Sequence, residues 1–70
     1  MTRRQGQILD FIRQRIECAG YPPTVREIAF VFDFSSPNAA TYHLNALERR
    51  GLIRREPGKA RAIKIIGGNG

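Results

Sequence analysis

Seventy residues make one small domain, with too little interior for a large catalytic cleft. Twelve Lys and Arg face six Asp and Glu, a formal charge of +6, and the basic set is almost all Arg, which favours a polyanionic partner. The single Cys18 excludes an intramolecular disulfide and a cysteine-based metal site.

The first element is a helix from about residue 3 to 19. Thr2 caps it, and Gln5 stands three residues later, as a capping box requires. Ile8, Ile12, Ile16 and Ala19 recur at helical spacing and form its buried stripe, which Leu9 and Phe11 widen. Gly20 stops it, and Tyr21-Pro22-Pro23 is a rigid connection that cannot continue it. Tyr21 is expected to pack over the end of this helix.

Thr24-Val25-Arg26-Glu27 is a second capping box. It starts a short helix of about eight residues that ends near Asp33-Phe34. Val25, Ile28, Ala29 and Phe32 are its inward positions. Phe30 falls outside that pattern and is expected at the surface.

Ser36 caps the third helix, and Pro37 occupies its first position, where a missing N–H costs nothing. Ala40, His43, Leu44 and Leu47 share its inner side, with His43 on the flank. Asn38, Thr41, Tyr42, Asn45 and Arg49 share the outer side. The helix ends near Arg50-Gly51.

Beyond it the period changes. Leu52-Ile53-Arg54-Arg55 reads as a short strand, Pro57-Gly58 as a turn, and Arg61 to Ile66 as the returning strand. Residues 1–66 thus form a mainly α domain with a small β-hairpin, a three-helix winged helix-turn-helix. Residues 67–70 are expected to be a flexible tail or the start of an interdomain linker.

The outer face of the third helix carries the chemistry. An ordinary solvated helix would use Glu and Lys there. This one shows Asn38, Thr41, Tyr42 and Asn45, side chains that can meet base edges in a major groove. The compact Phe32–Ser36 connection suits a helix pair that presents its second member to DNA. Arg26 lies in the first turn of the second helix, where its charge opposes the helix dipole and a phosphate partner would explain it. Arg54, Arg55, Lys59 and Arg61 gather at the hairpin, within reach of a DNA backbone or minor groove. Arg13 and Arg15 read as solubilising surface residues.

Enzyme readings fail on inventory. No glycine-rich phosphate loop precedes a helix, the six carboxylates show no paired arrangement, and Ser35 and Ser36 have no base near them in sequence. No His or Cys cluster provides metal ligands, so neither a metal nor a cofactor is expected. No apolar run approaches a membrane span, and no signal-peptide pattern opens the chain. A cytoplasmic, nucleoid-associated location without membrane contact is therefore expected.

Blocks along the chain also resemble a known family. They are Gly20-Tyr-Pro-Pro-Thr-Val-Arg-Glu-Ile-Ala29, Phe34-Ser-Ser-Pro-Asn-Ala-Ala40, His43-Leu44, Ala46-Leu47, Arg50-Gly51-Leu-Ile53 and Arg61-Ala-Ile63. Together they are similar to the DNA-binding domain of the bacterial SOS-response repressors of the LexA family, over about residues 2–66. The resemblance implies a winged domain whose third helix enters the major groove of a palindromic operator. It implies that Ser36, Asn38 and Ala39 match the base-reading start of that helix. Thr41 and Tyr42 occupy two base-reading positions where the best-known enterobacterial pattern has glutamates, which implies a different operator. Asp33 replaces the usual glycine of the turn, and Phe32 the usual leucine before it.

The same resemblance implies a homodimer, formed on the operator or through a C-terminal domain that is not in this sequence. That domain would carry a Ser-Lys self-cleavage pair and the response to RecA filaments. Ala19-Gly20 resembles the dipeptide cut in the family but reads as a helix stop. By itself the 70-residue chain is expected to be mostly monomeric, because one core consumes its apolar residues. The alternative role on the same fold is a stand-alone phage or plasmid regulator outside the SOS response. A protein-interaction module without DNA binding is the third.

Overall fold

The computed structural model describes residues 2–56 and 63–66. Its elements follow the order α1 (Arg3–Ala19), α2 (Val25–Val31), α3 (Pro37–Arg49), β1 (Ile53–Arg55) and β2 (Ile63–Ile65). This is the mainly helical winged helix-turn-helix expected.

Both capping boxes form. Thr2 Oγ1 accepts from the Gln5 N–H at 3.1 Å, and the Thr2 N–H donates in return to Gln5 Oε1 at 3.4 Å. Thr24 and Glu27 repeat the exchange at 3.1 and 2.9 Å. Gly20 ends α1 in the left-handed region at φ 85°, with its N–H on the Ile16 carbonyl. The Ala19-Gly20 pair is thus a helix stop.

α2 is shorter than its sequence pattern. It ends at Val31 with Phe32 as C-cap, one turn before Phe34. The cause is a six-residue closure: Phe34 N–H donates to the Ala29 carbonyl and Asp33 N–H to the Phe30 carbonyl. That closure needs a left-handed residue, and Asp33 supplies it at φ 58°, the sole non-glycine with positive φ among the described residues. α3 closes the same way through Gly51 at φ 77°, with Leu52 N–H on the Leu47 carbonyl.

One core joins the elements. Ile8, Leu9 and Ile12 of α1 meet Ile28 and Ala29 of α2, Ala40, Leu44 and Leu47 of α3, and Ile53 and Ile63 of the hairpin. Phe11, Ile16, Val25, Phe32, Phe34, Leu52 and Ile65 pack half-buried around it. Each full aliphatic burial contributes about 1.5–3 kcal/mol, so the inner stripe of α3 fixes which of its faces looks outward. The strands pair antiparallel with Ile53 opposite Ile65, Arg54 opposite Lys64 and Arg55 opposite Ile63. The strand pattern extends over three residues on each side; Arg61 and Ala62 of the expected returning strand, and the Pro57-Gly58 turn, lie outside the described residues.

Two aromatic residues stand out in opposite ways. Phe30 is 86% exposed, as its sequence position indicated. Tyr21 remains about half exposed, so it covers the end of α1 less fully than expected. Arg13 and Arg15 pair with Asp10 at 3.9 Å and Glu27 at 3.8 Å, ordinary surface roles.

Candidate nucleic-acid interface

α3 presents two chemically distinct sides. Ala40, Leu44 and Leu47 are fully buried. On the other side Asn38, Tyr42, Asn45 and Arg49 are exposed and Thr41 is half-buried, a row at helical spacing along about three turns. Ser36 and Ala39, at the start of the helix, are half-buried. Tyr42 is 68% exposed and looks into a shallow groove shared with Thr2, Gln5, Ala46, Arg49 and Arg50.

The start of α3 is built differently from the other helix starts. Ser36 has the extended backbone of an N-cap, φ −154° and ψ 159°, but its hydroxyl makes no capping bond. Pro37 removes one N–H from the first turn, and no acidic side chain stands there. The Ala39 N–H turns back onto the Ser36 carbonyl at 3.2 Å, which leaves the Asn38 N–H and the positive end of the helix dipole without a side-chain cap.

The predicted phosphate residues divide. Arg26 is exposed on the first turn of α2 and has no ion pair among the described residues. Its neighbour Glu27 is occupied by the capping box and by Arg15. Arg54 is exposed on β1, on the outer side of the hairpin with Lys64. Lys64 lies 3.8 Å from Glu56. Lys59 and Arg61 lie outside the described residues.

Arg55 has a task that its place in the basic cluster did not reveal. Its guanidinium Nε donates to Glu48 Oε1 at 3.2 Å, and its backbone N–H reaches Glu48 Oε2 at 3.4 Å. A terminal guanidinium N–H also donates to Asn45 Oδ1. The Arg55 side chain thus clasps the hairpin to α3, and Asn45, itself exposed, is engaged through its side-chain carbonyl. Sequence pattern gives no signal for this, because residues seven and ten positions apart meet only after the chain has turned at Gly51.

A line of rings runs beside the core. Phe11 meets Phe32 edge-on at 5.7 Å, Phe32 stacks on Phe34 at 6.1 Å, and Phe34 stacks on His43 at 5.5 Å. The Arg4 guanidinium covers Phe32 and Phe34 at 5.7 and 5.8 Å. His43 Nδ1 is buried without a hydrogen-bond partner among the described residues. No group of His, Cys, Asp and Glu among those residues could hold a metal ion, and no helix there is long and apolar enough to cross a membrane.

A helix pair joined by a tight turn, an outward polar face on its second helix, and a basic hairpin clasped beside it define a winged helix-turn-helix DNA-binding domain. The family profile described as the LexA DNA binding domain matches residues 1–62, and the chain belongs to that family. It is 55% identical over 65 residues to a LexA repressor of Ralstonia pickettii, covering 93% of this chain and 30% of the relative. The LexA repressor of Dechloromonas aromatica is 52% identical over 66 residues, covering 94% and 33%. That of Burkholderia cenocepacia is 51% identical over 67 residues, covering 96% and 31%. The chain spans about a third of the length of the curated relatives it matches.

Proposed function

We propose that this domain recognises a specific duplex operator, with α3 in the major groove and the hairpin against the adjoining backbone. It serves as the DNA-binding part of a transcriptional repressor of DNA-damage genes. The observation that carries the reading is the outer face of α3: hydrogen-bonding, medium-sized side chains in a row, beginning at a helix end without a side-chain cap. Relatives at 51–55% identity are named LexA repressors, which supports the repressor role.

Roles follow from placement. Asn38 and Tyr42 read base edges, with Ser36, Ala39, Thr41 and Asn45 beside them. Arg26 and Arg54 meet phosphates, and Lys59 and Arg61 belong to the same basic hairpin in sequence. Repression works by occupancy: two copies on the half-sites of a palindrome exclude the transcription machinery. Dimerisation away from DNA, and any response to RecA filaments, would reside in sequence beyond this chain.

Selection from random duplexes defines the preferred half-site and tests the reading directly. Asn38→Ala is then expected to lose about 1–3 kcal/mol of discrimination for that site, while binding to random duplex changes little. Equal losses on both duplexes would remove Asn38 as a base reader. Failure of any duplex to be enriched would overturn sequence-specific recognition.

A further inference from the structure

We propose that His43 is a positioning residue for Tyr42: it carries the packing of the turn between α2 and α3 out to the recognition face and fixes the direction of the Tyr42 ring. This rests on the reading above, in which Tyr42 reads DNA. The rings of Tyr42 and His43 meet edge to face, 5.4 Å apart at 74°. His43 is held from the other side by Phe34, nearly parallel at 22°. Phe34 in turn is anchored through Phe32 to Phe11 of α1, under the Arg4 guanidinium. Tyr42 is therefore the exposed end of a continuous line of rings that starts on the first helix.

Two further observations favour positioning over simple space filling. Tyr42 has no hydrogen bond and no other ring contact among the described residues, so His43 is its one aromatic restraint. An exposed aromatic side chain without such a restraint exchanges rotamers in picoseconds to nanoseconds and must be ordered when DNA binds. His43 also leaves its Nδ1 buried and without a hydrogen-bond partner among the described residues. An aliphatic residue would fill that flank without the penalty of an unmet polar atom. A flat ring is what the Phe34 stack and the Tyr42 edge both require.

The test is a double-mutant cycle in the 70-residue chain, with binding measured on the selected duplex and on its single-base-pair variants. His43→Leu keeps the apolar volume and removes the flat ring, whereas His43→Phe keeps the ring. Far-UV circular dichroism and thermal melting check that each variant is folded. His43→Leu is expected to weaken binding to the selected duplex about two- to tenfold. The loss should fall at the base pair that Tyr42→Ala also blunts, with preferences at other positions retained. His43→Phe should behave as the parent, and His43→Leu should add no further loss to Tyr42→Ala.

A second readout needs no DNA. Tyr42 α–β proton couplings should report one χ1 rotamer in the parent and averaging in His43→Leu, or in Phe34→Leu if the first variant does not fold. Identical couplings in parent and variant would overturn the proposal. So would a His43→Leu loss that is the same with and without Tyr42, or one spread evenly over all base pairs. If Tyr42→Ala alone leaves every base preference unchanged, Tyr42 is not a reader, and the underlying assignment falls together with this one. A changed Tyr42→Ala profile without coupling to His43 sinks only the positioning role.

Discussion

α1 and α2 begin closed, and α3 begins open. The first two helices satisfy their leading amides with reciprocal Thr–Gln and Thr–Glu boxes, all within three residues of sequence. The third has a serine at the corresponding place and does not use its hydroxyl for capping. A box contributes to stability in the free protein, and it also occupies the donors that a ligand would use. The helix proposed to meet DNA is the one whose start carries no side-chain cap. The stability of α3 comes instead from three fully buried side chains and from its closed C-terminal end.

The largest expected effects test that contrast directly. Thr24→Ala removes the cap of α2 and should cost about 1 kcal/mol of stability, with an outer range of ~2. In a domain of this size each kcal/mol lowers Tm by about 4–8 °C, so a calorimetric melt resolves it. Ser36→Ala should leave Tm within about 1 °C, because no capping bond is lost, and should reduce affinity for the selected duplex. A Tm drop in Ser36→Ala as large as that in Thr24→Ala would erase the distinction.

Arg26 sharpens the comparison from the other side. It sits on a helix start that is closed in hydrogen bonds yet carries a cation where the dipole disfavours one. Arg26→Ala should leave stability unchanged or slightly improved and lower affinity for every duplex alike. The slope of log affinity against log salt should fall in magnitude by about 0.9. An unchanged slope in salt titrations on specific and random duplexes would show that Arg26 meets no phosphate.

The smallest effect lies at the opposite helix ends. α2 and α3 share one C-terminal closure, with Asp33 in the left-handed position of one and Gly51 in that of the other. Asp33→Gly relieves a backbone cost and adds freedom to the unfolded chain, so the two terms oppose each other. A net gain below about 1 kcal/mol is expected from denaturant titration. A loss of more than about 1 kcal/mol, beyond what unfolded-chain entropy supplies, would mean that the Asp33 side chain contributes a bond of its own.

These helix ends also explain what could be read in advance. Thr2 with Gln5 and Thr24 with Glu27 are local signals, three residues apart, and their bonds formed as the pattern required. The burial of Ala40, Leu44 and Leu47 followed from helical period alone, and with it the outward face of α3. The turn at Asp33 was marked by the family resemblance, in which Asp33 stands for the usual glycine, whereas helical period alone does not mark the residue at which α2 ends. The Arg55 clasp was equally hidden: Arg54 and Arg55 are neighbours of the same charge, yet one faces solvent and the other ties the hairpin to α3. Strand alternation predicts that they differ, but not which partner the inner one finds. The Tyr42–His43–Phe34 contacts depend on rotamers, to which periodicity is blind.

That clasp has a mechanical side. The hairpin, with three residues in each strand among the described residues, is anchored on its inner face by Ile53 and Ile63 in the core. Arg55 adds a polar tie to Glu48 and Asn45 on the outer side, so the spacing between helix and hairpin is held both by the core and by this tie. If a duplex meets both, as proposed, it must fit that spacing, and the work of widening, narrowing or bending it depends on the stiffness of its base-pair steps. On that reading the tie would give weight to base pairs that no side chain reaches, as a caliper responds to the thickness of an object and not to its surface.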